Sequence, residues 1–564
     1  NLWWSWNSEA EFLFRRMDPT LWEEVGHNPK KLLEAIDYKR LVVLSDDDVF
    51  LEDSDRIYRE FAEYLTRPEN SGIPSVAYFS MEFGIHPSLK IYSGGLGVLA
   101  GDYLKEASDS NVNITGIGLL YRYGYFRQKL GPKGEQQAIY EAEDFSQIPV
   151  EPVKDSNGNQ VVIQLTWPGR TVKARIWLTP VGKVKLYLLD TDFEENTPED
   201  RAITHYLYGG DSENRLKQEL ILGIGGMRAL IALGIKPDVY HSNEGHSAFI
   251  GFERMRHLIE DEHLTFEESI EIVRASTLFT THTPVPAGHD SFEEDLLRKY
   301  ISHYHTRLNI TWDQLMALGR CQDDHDRKFN MSYLATRFSQ EMNGVSQLHG
   351  HVSRGLFSKL WPGYLRDELY IGHVTNGVHY STWVAPEWEQ IYEKLTGKRH
   401  FDLSDREQWA KIYQVEDEKV YETKMKLKKR LFDNIRKRLQ SDMLERHVSP
   451  RMLMNISSHL NEKALTIGFA RRFATYKRAS LLFRDLDRLA KIVNNPERPV
   501  QFIYAGKAHP NDGGGQDLIR RINEISQMPQ FAGKVLFLEN YDMEMAKYLV
   551  RGVDIWLNTP TRPL

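Results

Sequence analysis

Along the first seventy residues the apolar positions recur at helical spacing. In SWNSEAEFLFRRMDPTLWEEV, tryptophan, phenylalanine and leucine return every three or four positions among charged neighbours, which predicts amphipathic helices. From Ile73 the pattern changes. Short runs rich in β-branched and aromatic residues end in Gly, Asn, His or Thr: SVAYFSMEFG, VNITGIGLLYRYG, PDVYHSNEGH, STLFTTHTP and LYIGHVTNGVH. Helical stretches such as ENRLKQELILGIGGMRALIALG separate several of them, and this alternation predicts a parallel sheet covered on both faces. The meander VVIQLTWPGRTVKARIWLTPVGKVKLYLLDTD, with glycine turns, is expected to be an antiparallel insertion near 160–192. The charged helical tract over 400–450 reads most simply as a solvated connector. A second strand series follows: ALTIGFARR, VQFIYAGKAHP, VLFLENY and VDIWLNTP.

The expected organisation is α/β with two doubly wound lobes. A helical region, 1–72, opens the first lobe, whose sheet spans 73–375; 376–460 forms a helical connector and 461–564 the second lobe. At 564 residues the chain exceeds what one core supports. Its charge of −8, from 71 basic and 79 acidic residues, gives no footing for nucleic acid or an acidic membrane. The single cysteine, Cys321, excludes an internal disulfide and suits a reducing compartment. No run approaches the roughly 18 apolar residues of a membrane span, no leader opens the chain, and a cytoplasmic location is expected. The chain starts on Asn1 and ends on NTPTRPL, just past the apolar run Val553–Leu557. A functional loop of an open α/β sheet starts at such a point, so residues are expected to be missing at both ends.

Three stretches carry chemistry. In IYSGGLGVLAGDYLKEA, Gly94, Gly95 and Gly97 open a helix, whose N-terminus favours negative charge; an ordinary turn has the same pattern. The spacing is not that of a dinucleotide site, so no nicotinamide cofactor is implied. In LTIGFARRFATYKRASLL, a strand end delivers Arg471, Arg472, Lys477 and Arg478. Arg472 and Lys477 could converge on one phosphate, by fork and point charge respectively. The alternative, a solvated basic helix start, is weakened because a positive helix end repels cations. Glu244, His246, His282 and His289 follow two strands in HSNEGHSAF and FTTHTPVPAGHD. No HExxH spacing occurs there, so hydrogen bonding to a sugar is preferred to a metal site.

Taken in order, AYFSMEFG, SGGLGVLAGDYLKEASD, RLKQE, NEGHSAF, THTPVPAGH, MNGVSQLHG, TNGVHYSTW, ARRFATYKRA, FIYAGKAHP and VLFLENY resemble the α-glucan (glycogen/maltodextrin) phosphorylases through nearly the whole chain. The tryptophan-rich opening is similar to that of the short microbial branch, which lacks the regulatory extension, so control by phosphorylation is not expected. The resemblance implies two Rossmann-like lobes of the GT-B glycosyltransferase fold, the second incomplete here. It also implies phosphorolysis of an α-1,4-glucan to α-D-glucose 1-phosphate with pyridoxal 5′-phosphate, whose phosphate takes part in the chemistry. By the same resemblance, Arg472 and Lys477 bind phosphate and His282 contacts the reacting glucosyl unit. Arg471, Tyr541, Trp383 and Gly95 are assigned to the cofactor. Gly94, Leu96, Gly97, Asn376, Glu244 and His246 are assigned to substrate. The family's cofactor lysine follows the segment matching NTPTRPL and is expected beyond Leu564, so this chain alone is expected to be inactive and not to hold the cofactor covalently. Substrate and phosphate are the expected partners, with a possible homo-oligomer and no metal.

These residue types suit the reaction. Cleaving a glucosidic bond builds positive charge on the sugar ring and requires a proton on the leaving oxygen. Two phosphates side by side repel unless cations and helix N-termini offset them. Two other readings stay open: a nucleotide-sugar-dependent glucan synthase of the same fold, which also carries an Arg and a Lys five apart, and a non-catalytic glycan-binding relative.

Overall fold

The computed structural model describes residues 1–285, 288–321, 327–397, 403–445 and 450–561. Near the N-terminus three helices each begin on an Asn or Asp that caps them. Asn7 accepts from the N–H groups of Glu9 and Ala10 ahead of Ser8–Met17, Asp18 caps Pro19–Glu24, and Asn28 caps Pro29–Ala35. A proline heads the last two, where its missing N–H has no helical partner in any case. The long helix Asp48–Thr66 follows.

The chain divides into two compact units. One comprises Asn1–Tyr125 and Ala142–His379; the other comprises Phe126–Glu141 and the described residues from Tyr380 onward. In the first unit, parallel strands lie in the order Ile371–His373, Glu341–Gly344, Thr277–Thr280, Val239–Asn243, Val76–Phe79, Ile114–Leu119 and Val184–Asp190. The antiparallel meander Val162–Trp167, Arg170–Val181, Val184–Asp190 extends this sheet instead of standing apart, because its last strand pairs in parallel with Ile114–Leu119. Strand order reverses beside Val76–Phe79, which lies between Ile114–Leu119 and Val239–Asn243. In open α/β sheets, ligands bind beyond the carboxyl ends of strands at such a reversal. The stretch expected as one helix, ENRLKQELILGIGGMRALIALG, is helical over Ser212–Ala232, with one π turn at Ile221–Gly225.

The second unit holds parallel strands in the order Val535–Leu538, Val500–Ala505, Leu465–Ala470, Ile555–Trp556. Alternate residues face opposite cores, as the two-residue period of a strand requires. Phe502, Tyr504, Val535 and Phe537 pack with Ile519, Ile522 and Ile525 of the helix Gly513–Ser526. Ile503, Ala505, Leu536 and Leu538 pack with Leu549 and with Leu431, Phe432, Ile435 and Leu439 of the helix Asp417–Glu445. That helix corrects the reading of 400–450 as a solvated connector. Leu427, Leu431, Ile435 and Leu439 are buried four residues apart, a narrow apolar stripe masked by surrounding lysines and arginines.

The hairpin of strands Arg127–Leu130 and Gln136–Ile139 belongs to the second unit although its flanks belong to the first. Gln128 donates from Nε2 to the Gly506 carbonyl at 3.0 Å, and its Oε1 accepts from the Asn540 N–H at 2.9 Å. Gln136 exchanges two hydrogen bonds of 2.9 Å with the backbone of Ala508. Among the described residues no helix is long and apolar enough to cross a membrane.

Candidate functional site

Two buried carboxylates follow the strands that flank the order reversal. Glu82 comes just after Val76–Phe79. Its Oε2 accepts from the Ser93 N–H at 2.6 Å and the Gly94 N–H at 3.2 Å, and its Oε1 from the Tyr208 hydroxyl at 2.8 Å. Burial pushes its pKa up, against the pull of those donors. The glycines it steadies differ in what they face. A Cβ at Gly97 would lie 2.6 Å from Glu82 Oε2, whereas one at Gly94 or Gly95 would meet nothing within 4 Å. Gly97 is glycine because the chain packs against it; Gly94 and Gly95 leave room for something else. No side chain caps the helix Gly95–Asp109, so leading N–H groups such as that of the half-buried Leu96 lack a capping oxygen.

Glu244 ends the strand Val239–Asn243. Its Oε2 accepts from the His282 N–H at 2.8 Å and the Thr283 hydroxyl at 3.2 Å, and its Oε1 from the Thr281 hydroxyl at 3.3 Å. Burial raises its pKa to about 7, since removal from water disfavours the charged form. His282 Nε2 lies 2.6 Å from Asn243 Oδ1. A carbonyl oxygen only accepts, so Nε2 carries the proton and Nδ1 offers a lone pair. Burial, with the nearby His349, lowers the His282 pKa to about 4, and the ring is neutral at pH 7.

A second buried group adjoins these. Arg215 binds Asp290 at 2.7 Å and Glu219 at 3.2 Å and lies 4.4 Å over the Tyr208 ring. Burial opposes the Arg215 charge, but Asp290 and Glu219 outweigh it and keep the guanidinium protonated. Burial above all, with Asp290 beside it, pushes the Glu219 pKa far above the carboxylate range. His246 Nε2 sits 3.4 Å from Asp290, and burial and Arg215 lower its pKa to about 3. The sequence reading missed Glu82, Tyr208, Arg215 and Asp290. Glu82 and Arg215 stood in the quoted motifs AYFSMEFG and RLKQE. Among the described residues no group of three His, Cys, Asp or Glu is placed to hold a metal. Asn376 follows the edge strand Ile371–His373; the residue is exposed and its N–H donates to the Val345 carbonyl at 3.0 Å.

In the second unit the loop after Leu465–Ala470 gathers cations. Arg471 Nη1 donates to Asn558 Oδ1, and Arg478 binds the carbonyls of Thr559 and Pro560 at 2.8 and 2.9 Å. Arg478 therefore has protein partners of its own. Lys477 is drawn down to about 7 by burial and then by the like charges of Arg471 and Arg472. The loop's shape depends on Gly506, at φ 142°, where a Cβ would lie 2.1 Å from the Arg471 carbonyl. Tyr541 follows Val535–Leu538, half-buried, and burial pushes its hydroxyl pKa up. The Trp383 carbonyl accepts from Arg551 Nε at 3.0 Å. Arg471, Arg472, Lys477, Tyr541 and Trp383 thus lie in the second unit; Gly94–Gly97, Glu244, His246, His282 and Asn376 lie in the first.

Residues 195–559 match the carbohydrate phosphorylase family model, and residues 1–89 match a model described only as a protein of unknown function (DUF3417). The chain belongs to the carbohydrate phosphorylase family. Over its whole length it is 42% identical to the glycogen phosphorylase of Mycobacterium tuberculosis, covering 68% of that protein. It is 43% identical to the maltodextrin phosphorylase of Thermococcus litoralis, covering 67%, and 37% identical to the glycogen phosphorylase of Aquifex aeolicus, covering 81%. Membership in this family sets aside the glucan synthase reading, which the shared GT-B fold does not by itself.

Proposed function

We propose that this phosphorylase cleaves α-1,4-glucans such as glycogen, starch or maltodextrin with inorganic phosphate, releasing α-D-glucose 1-phosphate. The observation that carries this reading is the cationic loop at 471–477, where the lysine pKa is about 7 because burial and two like charges act on it. Such a loop is short of an anion, and a phosphate dianion supplies one. Arg472 holds the substrate phosphate by its planar fork and Lys477 by its ammonium. In the first unit, the uncapped N-terminus at Gly94–Gly97 offers backbone donors suited to an anion. In the reaction, the bond from the anomeric carbon to the glucosidic oxygen breaks and a bond to a phosphate oxygen forms. The proton of hydrogen phosphate goes to the departing oxygen. Neutral His282, with Nδ1 as acceptor, orients a glucosyl hydroxyl without exchanging a proton at pH 7. Glu244 holds the His282 backbone, His246 lies beside it, and Asn376 contacts the sugar from its own strand end.

The Arg471 guanidinium and the Tyr541 hydroxyl are donors suited to a second phosphate, that of pyridoxal 5′-phosphate. When bound, this cofactor supplies the acid–base chemistry of its phosphate, and Arg471, Tyr541 and Trp383 are the residues of the second unit that would hold it.

The test, on the full-length protein, is phosphate-dependent release of glucose 1-phosphate from a glucan, run beside sugar transfer from ADP- or UDP-glucose. Arg472→Ala and Lys477→Ala are expected to lower turnover at least about 100-fold while glucan binding persists. Unchanged turnover in both variants, or transfer from the nucleotide sugar in place of phosphorolysis, refutes the assignment.

A further inference from the structure

Residues 1–89 match a model that assigns no function, yet they hold the helix Gly95–Asp109 at both ends. At its start, Glu82 takes the Ser93 and Gly94 N–H groups on Oε2, together with the Ser93 hydroxyl at 3.2 Å. The Gly84 N–H donates to the Gly97 carbonyl at 2.6 Å. Gly101 packs against the Gly84 carbonyl so closely that a Cβ would lie 2.0 Å from it. At the far end, Asp109 Oδ1 accepts from Trp6 Nε1 at 3.2 Å and from the Tyr64 hydroxyl at 2.7 Å. Lys105 Nζ lies 5.6 Å over the Trp6 ring.

We propose that Glu82 is the positioning residue of the glycine turn, fixing Ser93 and Gly94 so that the leading N–H groups of the helix are pre-aimed at an anion, and that segment 1–89 is the clamp that keeps this helix in place for phosphate. The proposal rests on the phosphorolysis reading. Glycine-rich backbone loses more freedom on ordering than any other, so a turn held in advance binds its ligand at lower entropic cost. Packing alone does not call for a carboxylate here, because burying one is unfavourable unless hydrogen bonds compensate. Those at Glu82 come from the turn itself and from Tyr208, which links the turn to the Arg215–Asp290 group.

Glu82→Gln keeps an acceptor for the turn's N–H groups; Glu82→Ala keeps none. Glu82→Ala is expected to raise the KM for phosphate about tenfold while the glucan KM holds, with Glu82→Gln restoring most of it. Hydrogen exchange at the amides of 93–98 should quicken in Glu82→Ala and return toward the parent rate in Glu82→Gln. Tyr208→Phe, which removes only the donor to Oε1, serves if Glu82→Ala fails to fold; it should raise the phosphate KM about two- to fivefold. All variants are made in the full-length protein, and absence of phosphorolysis in that parent refutes the underlying reading. Active Glu82→Ala with parental phosphate KM, or with unchanged exchange at 93–98, overturns this proposal alone. If Glu82→Ala does not fold, an unchanged phosphate KM in Tyr208→Phe overturns it equally.

Discussion

At Glu244 two unfavourable features coincide: a backbone φ of 69° on a residue with a Cβ, and a carboxyl group taken out of water. Such features persist where the surroundings over-determine them, and they cluster at functional sites. The pKa is raised, so the fold favours the protonated form. The stability contributed is fully present below about pH 4.5 and is lost as pH rises through about 7. A rise of that size corresponds to on the order of 3 kcal/mol. Urea unfolding of Glu244→Gln beside the parent should therefore show the parent losing stability relative to the variant between pH 5 and pH 8, by up to that amount. A constant difference across this range counts against the raised pKa. Lys477 runs the other way. With a pKa near 7 it is partly neutral at pH 7.5, and an anion beside it favours the charged form. Sulfate, which exchanges no proton in this range, should bind with proton uptake, read by calorimetry in buffers of different ionisation enthalpy. Lys477→Met should abolish the uptake. At this scale the sequence exposed cations and histidines at strand ends but not buried Glu82 or its half-buried neighbours Tyr208 and Asp290, because nothing in a linear pattern distinguishes a buried acid from a solvated one.

At the scale of elements, the glycine turn separates two uses of one residue type. Gly97→Ala would place a methyl 2.6 Å from Glu82 Oε2 and should cost about 1–3 kcal/mol of stability, measured as a fall in denaturant midpoint. Gly95→Ala meets open space and should leave that midpoint unchanged or slightly higher while weakening phosphate binding. Equal loss of stability in both variants would show that the turn is only a packing feature. The order of strand-ending motifs was legible: Val76–Phe79, Val239–Asn243, Thr277–Thr280 and Leu465–Ala470 all end within or beside the stretches that apolar runs and punctuation marked. The helix Asp417–Glu445 was misjudged because a stripe of one apolar residue in four is easily read as solvated when its other positions are charged.

At the scale of the molecule, the assignment of 126–141 to the second unit is the feature that contiguous reading cannot supply. Gln128 is the hinge of that assignment, since its amide meets Gly506, Gln136 and Asn540 at once. Gln128→Ala strips these partners and should destabilise the protein by about 1–3 kcal/mol, with faster hydrogen exchange around Gly506 and Asn540. Exchange unchanged at both places would show that the hairpin is held by its apolar contacts, among them Leu130 in the core.

The sequence by itself determined the α/β class, the strand and helix series, the cation loop and the glycine turn, because local periodicity, caps and turn residues act over a few positions. Tertiary structure alone decided the strand order, with its reversal beside Val76–Phe79, the hairpin's place in the second unit, and the carboxylates that meet the turn and His282. Those depend on which distant groups share a low-dielectric interior, and the free energy of burying a charge is set by neighbours a hundred or more positions away in the chain, as Tyr208 lies from Glu82.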